Sequence, residues 1–191
     1  LDWCVIDIGV LAAGAVTIPI YPSNLSDECA YIIENSGARV IFTEDAAQTQ
    51  KILEAKDRLE AQLIAVVQMT GTPPTEDPWV KSFSDFTEAA DEEHRAELSA
   101  RKEPLNRDAI LTISYTSGTT GNPKGVMLSH DNIVYTALTN LSFNKIHFGQ
   151  GKAISYLPPS HLAGLRLDQF ICMANGSICC FADKFAITQG A

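Results

Sequence analysis

Apolar and polar positions along this chain fall into blocks whose periodicity switches repeatedly between that of a helix and that of a strand. An apolar run from Asp2 to Ala13 reads as a helix ending at Gly14, and Thr17-Ile18-Pro19-Ile20-Tyr21 as a short buried strand. Ser26 is the expected N-cap of a second helix running through Asn35, with Gly37 as its left-handed terminator. Arg39 to Thr43 predicts a strand. From about Ala46 to Leu59, the apolar Ile52, Leu53, Ala55 and Leu59 lie near helical spacing on an otherwise polar segment, which predicts a helix with one buried face. Leu63 to Met69 predicts a third strand, and Thr70 to Pro78 a loop rich in Pro and Thr. Ser82 to Asp108 is charged and only weakly periodic, which predicts a short helix and then a solvated connector.

A second series begins with a strand from Ala109 to Tyr115 and another from Gly125 to Leu128. Ser129 is placed to cap a long helix reaching about Phe148. Ala153 to Leu157 predicts a strand broken by Pro158-Pro159, followed by a helix from about His161 to Ala174 and a strand from Ser177 to Phe181. Alternation of this kind predicts an α/β fold of layered, mainly parallel sheets flanked by helices. It divides the chain into a first portion, 1–108, with its connector, and a second portion, 109–191.

Composition narrows the chemistry. With 191 residues the chain is long enough to bury a substantial core, and its net charge of −9 excludes nucleic acid as a general partner. The five cysteines show no C-x-x-C spacing, so neither zinc nor a disulfide framework is expected, and those in apolar runs are expected to be buried thiols. Asn-x-Ser triplets at Asn24, Asn140 and Asn175 are read as coincidental, because no signal peptide opens the chain. The apolar stretch from Cys4 to Ile20 carries Asp7, Gly9, Gly14 and Pro19 and falls short of the ~20 apolar residues a spanning helix needs.

The most telling segment is Tyr115-Thr116-Ser117-Gly118-Thr119-Thr120-Gly121-Asn122-Pro123-Lys124-Gly125, which follows an apolar strand. Hydroxyls and amides donate hydrogen bonds, glycines let the backbone come close, and a lysine adds a point charge; together they suit a polyphosphate. Lys124 is followed by Gly125, so this is not the Walker A pattern. Thr116 to Gly125 does resemble, at every fixed position, the T-S-G-S/T-T-G-x-P-K-G signature loop of the adenylate-forming (AMP-binding) superfamily, which includes acyl-CoA synthetases, peptide-synthetase adenylation domains and luciferases. Gly9, Ala13-Gly14 and Pro19 to Pro22 are similar to the family segment that precedes this loop. Ser155-Tyr156-Leu157-Pro158-Pro159-Ser160-His161 resembles the S-Y-L-P-L-S-H stretch of long- and very-long-chain acyl-CoA synthetases, the bubblegum-type branch above all, with Pro159 in place of the usual Leu.

The resemblance implies part of the family's large N-terminal domain and a two-step reaction. A fatty acid carboxylate attacks ATP to give acyl-adenylate and pyrophosphate, and coenzyme A then displaces AMP. Thr116, Ser117, Gly118, Thr119, Thr120, Gly121, Asn122, Pro123 and Lys124 are the implied ATP phosphate-binding residues, and His161 the implied contact to the acyl-adenylate pocket. Thr119 or Thr120 would contact magnesium, whose other ligand is a family glutamate outside these residues, so no complete metal site is assigned. No catalytic residue is assigned either. The family's catalytic lysine lies in a small C-terminal domain, and this chain alone is expected to be inactive. Activation of an aryl or amino acid, or a non-catalytic nucleotide-binding role, is the alternative. The implied partners are small molecules: fatty acid, ATP and coenzyme A. The implied location is cytoplasmic, with attachment to intracellular membranes at most peripheral.

Overall fold

The computed structural model describes residues 2–88, 91–102, 106–116, 121–149, 151–157, 161 and 169–182. In chain order the elements are α1 (Asp2–Ala12), α2 (Ser26–Ser36), β1 (Val40–Thr43), α3 (Ala46–Glu54), α4 (Lys56–Leu59), β2 (Ala65–Gln68), β3 (Val80–Ser82), α5 (Phe83–Glu88), α6 (Glu92–Lys102), β4 (Ile110–Thr116), β5 (Lys124–Ser129), α7 (His130–Phe143), β6 (Lys152–Ser155), α8 (Phe170–Asn175) and β7 (Ile178–Phe181). They belong to two compact units that interleave along the chain. The first comprises Leu1–Pro19, Pro104–Ser114 and Val126–Ala191; the second comprises Ile20–Glu103 and Tyr115–Gly125.

In the second unit β1, β2 and β3 form a parallel sheet in that order, with Val40 opposite Ala65 and Val66 opposite Val80. All four residues of the central strand β2 are buried, as a parallel strand covered on both faces requires. Its core joins Cys29, Ala30 and Ile33 of α2, Ile52, Leu59, Leu63, Val66 and Val80. Phe42 of β1 meets Phe86 of α5 edge to face, with ring centroids 5.6 Å apart. The helix expected from Ala46 to Leu59 is broken at Ala55, where φ is −106° and the amide bonds back to Ile52 at 3.1 Å. Ile52, Ala55 and Leu59 all enter the core, as their helical spacing predicts.

The N-terminus of α2 departs from expectation. Leu25 is the cap residue, and its amide donates to the Glu28 carboxylate at 2.9 Å. Ser26 lies inside the helix and donates to the Lys51 carbonyl at 2.5 Å, so its hydroxyl ties α2 to α3. At the other end Gly37 takes φ +72° and returns its amide to Ile33 and Glu34, as expected. Gln62 Nε2 satisfies the carbonyls of Ile33 and Ala38, at 2.7 and 2.9 Å.

In the first unit the expected strand Thr17–Tyr21 is reduced to one parallel bridge, Thr17 to Thr112. Pro19 has no amide with which to extend the ladder. Leu11, Leu111 and Ile133 form the buried core there, flanked by Leu128 and Phe170. β4 pairs with β5, and β6 pairs in parallel with β7 across α8. Ser129 caps α7 as expected: its Oγ accepts from the Asn132 amide at 3.2 Å, and Asn132 Oδ1 accepts from the Ser129 amide at 3.0 Å. The helix stops at Phe143, five residues short of expectation, where the Asn144 side chain takes the Asn140 carbonyl at 2.9 Å and Lys145 turns to φ +53°. Of the C-terminal thiols expected to be buried, Cys172 is; Cys179 is half-buried and Cys180 exposed.

Candidate functional site, the turn between β4 and β5

β4 alternates as a strand must, so neighbouring side chains point to opposite sides. Tyr115 is its last buried residue, at 9% exposure, and Thr116 beside it is exposed. The chain leaves β4 at Thr116 and returns at Lys124, the first residue of β5. Ser117, Gly118, Thr119 and Thr120 lie outside the described residues. Gly121 takes φ +93° with open space where a Cβ would stand, so glycine is required by backbone conformation here and not by crowding. Asn122 is exposed, Pro123 half-buried and Lys124 exposed. The described part of the turn thus offers a hydroxyl, backbone amides and an ammonium group to solvent. This donor set matches a polyanion.

The base of the turn is held by a contact that the motif does not encode. Tyr115 donates its phenolic hydrogen to Asn35 Oδ1 at 2.7 Å, across eighty positions of sequence. Burial, helped by the nearby Tyr31 phenol, pushes the Tyr115 hydroxyl above its ordinary range, so it stays protonated and a donor. Nothing local marks Asn35 as functional. Its only sequence signal is its place in the last turn of a helix stopped by Gly37.

His161 is exposed, lies in the first unit, and is separated in sequence from Lys124 at the end of the turn by 36 residues, with both flanks outside the described residues. The described residues therefore give its acyl-pocket role no geometry. Among them no group of three or more His, Cys, Asp or Glu side chains could hold a metal ion. Thr119 and Thr120, the threonines implied to reach magnesium, lie outside them. No helix among the described residues is long and apolar enough to cross a membrane.

The profile of the AMP-binding enzyme family matches residues 1–190. The chain belongs to the AMP-binding enzymes.

Among relatives of this AMP-binding chain, a long-chain-fatty-acid–CoA ligase, ACSBG2 of Xenopus laevis, is 33% identical over 97% of the chain and 25% of its own length. The long-chain-fatty-acid–CoA ligase heimdall of Drosophila melanogaster is 34% identical over 97% of the chain and 28% of its own length. The chain thus spans little more than a quarter of the curated relatives it matches. Among solved structures, ATP-bound MatB from Rhodopseudomonas palustris superposes with a TM-score of 0.76 at 22% identity, over 98% of this chain and 34% of that one. The anthranilate CoA ligase AuaEII, in complex with anthranoyl-AMP, gives 0.75 at 20% identity over 98% and 35%. At these identities the structures establish the fold, and the α/β reading of the sequence is borne out.

Proposed function

We propose that this chain carries the phosphate-binding portion of a long-chain fatty acid–CoA ligase. The observation that carries the reading is the match of Thr116 to Gly125, residue by residue, to an ATP-handling loop, set on an exposed turn between paired strands. The bubblegum-like stretch Ser155 to His161 and the fatty-acid ligases among the relatives support a long aliphatic acid as substrate.

In the proposed first step a carboxylate oxygen of the acid attacks the α-phosphorus of ATP. The bond to the β-phosphate breaks, and pyrophosphate leaves with acyl-AMP formed. In the second, the sulfur of coenzyme A attacks the acyl carbonyl and AMP leaves. The obstacle in the first step is repulsion between two anions. Thr116 and the backbone of Gly121 would donate to the β- and γ-phosphates while Lys124 adds a mobile positive charge, which withdraws charge from the attacked centre and eases pyrophosphate's departure. Magnesium, when bound with ATP, would neutralise the same oxygens; Thr119 or Thr120 would contribute to holding it. His161 is proposed to line the acyl-adenylate pocket, on sequence alone. Residues 1–191 by themselves are proposed to be inactive, since the relatives are about four times as long.

The test is a panel of carboxylic acids offered to the purified full-length protein with Mg-ATP and coenzyme A. Thioester formation favouring long aliphatic chains is expected; a preference for an amino or aryl acid would overturn the assignment.

A further inference from the structure

We infer that Asn35 is a positioning residue for the phosphate-binding turn, acting through the hydroxyl of Tyr115. The inference rests on the reading of Thr116 to Lys124 as the phosphate site.

Asn35 stands on a fixed post. α2 buries Cys29, Ala30, Ile32 and Ile33. Its C-terminal turn is stopped by Gly37 and satisfied by Gln62, and the neighbouring Glu34 is gripped by Arg58 through bonds of 3.1 and 2.7 Å. Four independent restraints therefore converge within three residues of Asn35. The Asn35 carboxamide oxygen receives the Tyr115 hydroxyl at 2.7 Å. Tyr115 is also where the chain passes from the first unit into the second, since the second unit takes up Tyr115–Gly125 together with Ile20–Glu103.

The next residue, Thr116, is the first donor of the turn, with its Cα ~3.8 Å from that of Tyr115 across one rigid peptide. A shift of the tyrosine is therefore passed almost undiminished to the threonine. Donors aimed at a departing pyrophosphate must be held within about 0.5 Å of their working positions. An aromatic ring seated among buried residues and pinned at its far end by a hydrogen bond restrains both the translation and the tilt of the strand end. A phenylalanine at 115 would keep the seat and lose the pin. The two halves of the restraint are thus separable by substitution.

The experiment uses the full-length protein with Tyr115→Phe, Asn35→Ala, the double variant and Asn35→Asp, which keeps an acceptor at the same reach. Hydrogen exchange of the peptide covering residues 115–125 is read without substrate, beside that of residues 63–69 in the core. The KM values for ATP and for fatty acid are then compared, with Lys124→Ala as control. Each single variant is expected to speed exchange of 115–125 and leave 63–69 unchanged. The KM for ATP should rise about fivefold, with the fatty-acid KM within about twofold, and the double variant should be no worse than either single one. Asn35→Asp should restore most of the loss. Additive effects of the two substitutions, equal changes in both KM values, or unchanged exchange in 115–125 would each overturn the clamp. If Lys124→Ala left the ATP dependence unchanged while exchange behaved as described, the phosphate reading would fall and the clamp on the turn would stand as structural only, overturning its role in positioning.

Discussion

The hydroxyl oxygens of Thr43 and Thr49 lie 2.7 Å apart in the interior of the second unit, with Thr49 fully buried. Thr49 Oγ1 also lies 2.9 Å from Gln68 Oε1 and 3.0 Å from the Asp45 carbonyl, and Gln68 Nε2 donates to the Thr70 carbonyl at 2.8 Å. Thr49 Oγ1 is the atom these contacts share, so the network joins the end of β1, the first turn of α3 and the end of β2. Thr49→Val preserves shape and removes the hub, leaving Thr43 and Gln68 short of a partner where water does not reach. A destabilisation of about 1–3 kcal/mol is expected. It would appear as a lower urea midpoint with unchanged slope, followed by Trp79 fluorescence.

The second unit should also lose stability in acid through two identified carboxylates. The Lys56 ammonium, 2.5 Å away, holds the Asp77 carboxyl below its usual range, with the Trp79 amide adding to the effect. Arg58 does the same for Glu34. Each folded value lies below the unfolded one, so the stabilisation is complete above the unfolded value and is lost as pH falls through the folded one. Lys56 is raised by Asp77, and its contribution is present below the ordinary lysine value and lost as pH climbs through the raised one. At neutral pH all are engaged. Asp77→Asn should therefore lower the melting temperature near pH 7, and the gap to the parent should close only as pH falls below the ordinary carboxylate range. Added salt should narrow the gap, since these groups face solvent. A gap that stayed constant with pH would remove Asp77 from the acid response.

Gly37 offers a measurement of backbone strain without steric complication. Its φ is +72°, and an added Cβ would meet nothing within 4 Å. Gly37→Ala should cost about 1–2 kcal/mol from the left-handed conformation alone. Gly37→Asn should cost less, because asparagine tolerates this region best among the other residues. Thermal melts of both variants check the order.

Lys124→Ala in the full-length protein should raise the KM for ATP about 10- to 100-fold, the range of a charge-assisted hydrogen bond. Binding of the fatty acid should be little changed. Pyrophosphate release titrated separately with ATP and with acid distinguishes the two.

How much of this was legible in the chain depended on distance. The alternation of helices and parallel strands, the stop at Gly37 and the cap at Ser129 are written within a few residues of where they act, and they were read correctly. So was the kinship of the Thr116–Gly125 turn, because ten consecutive residues carry it. β3 is only three residues long and was missed. α6 was absorbed into a connector because it has no apolar stripe; it stands on an Asp91 cap, whose Oδ1 accepts from the His94 amide at 3.0 Å, and on exposed pairs such as Arg95 with Glu92. Ser26 had the right chemistry for a cap but found a carbonyl on α3, a tertiary contact that outweighed its local preference. Asn35 was invisible because its partner is eighty positions away.

The interleaving of the two units sets an order of assembly during synthesis. Ile20–Glu103 is continuous and contains three paired strands and their helices, so this part of the second unit can close before Tyr115–Gly125 is made. The first unit cannot. Thr112 Oγ1 reaches the Thr17 carbonyl at 2.8 Å across 95 positions, and at cellular translation rates that separation is on the order of ten seconds. For that interval α1 and its core residue Leu11 have no strand to rest on.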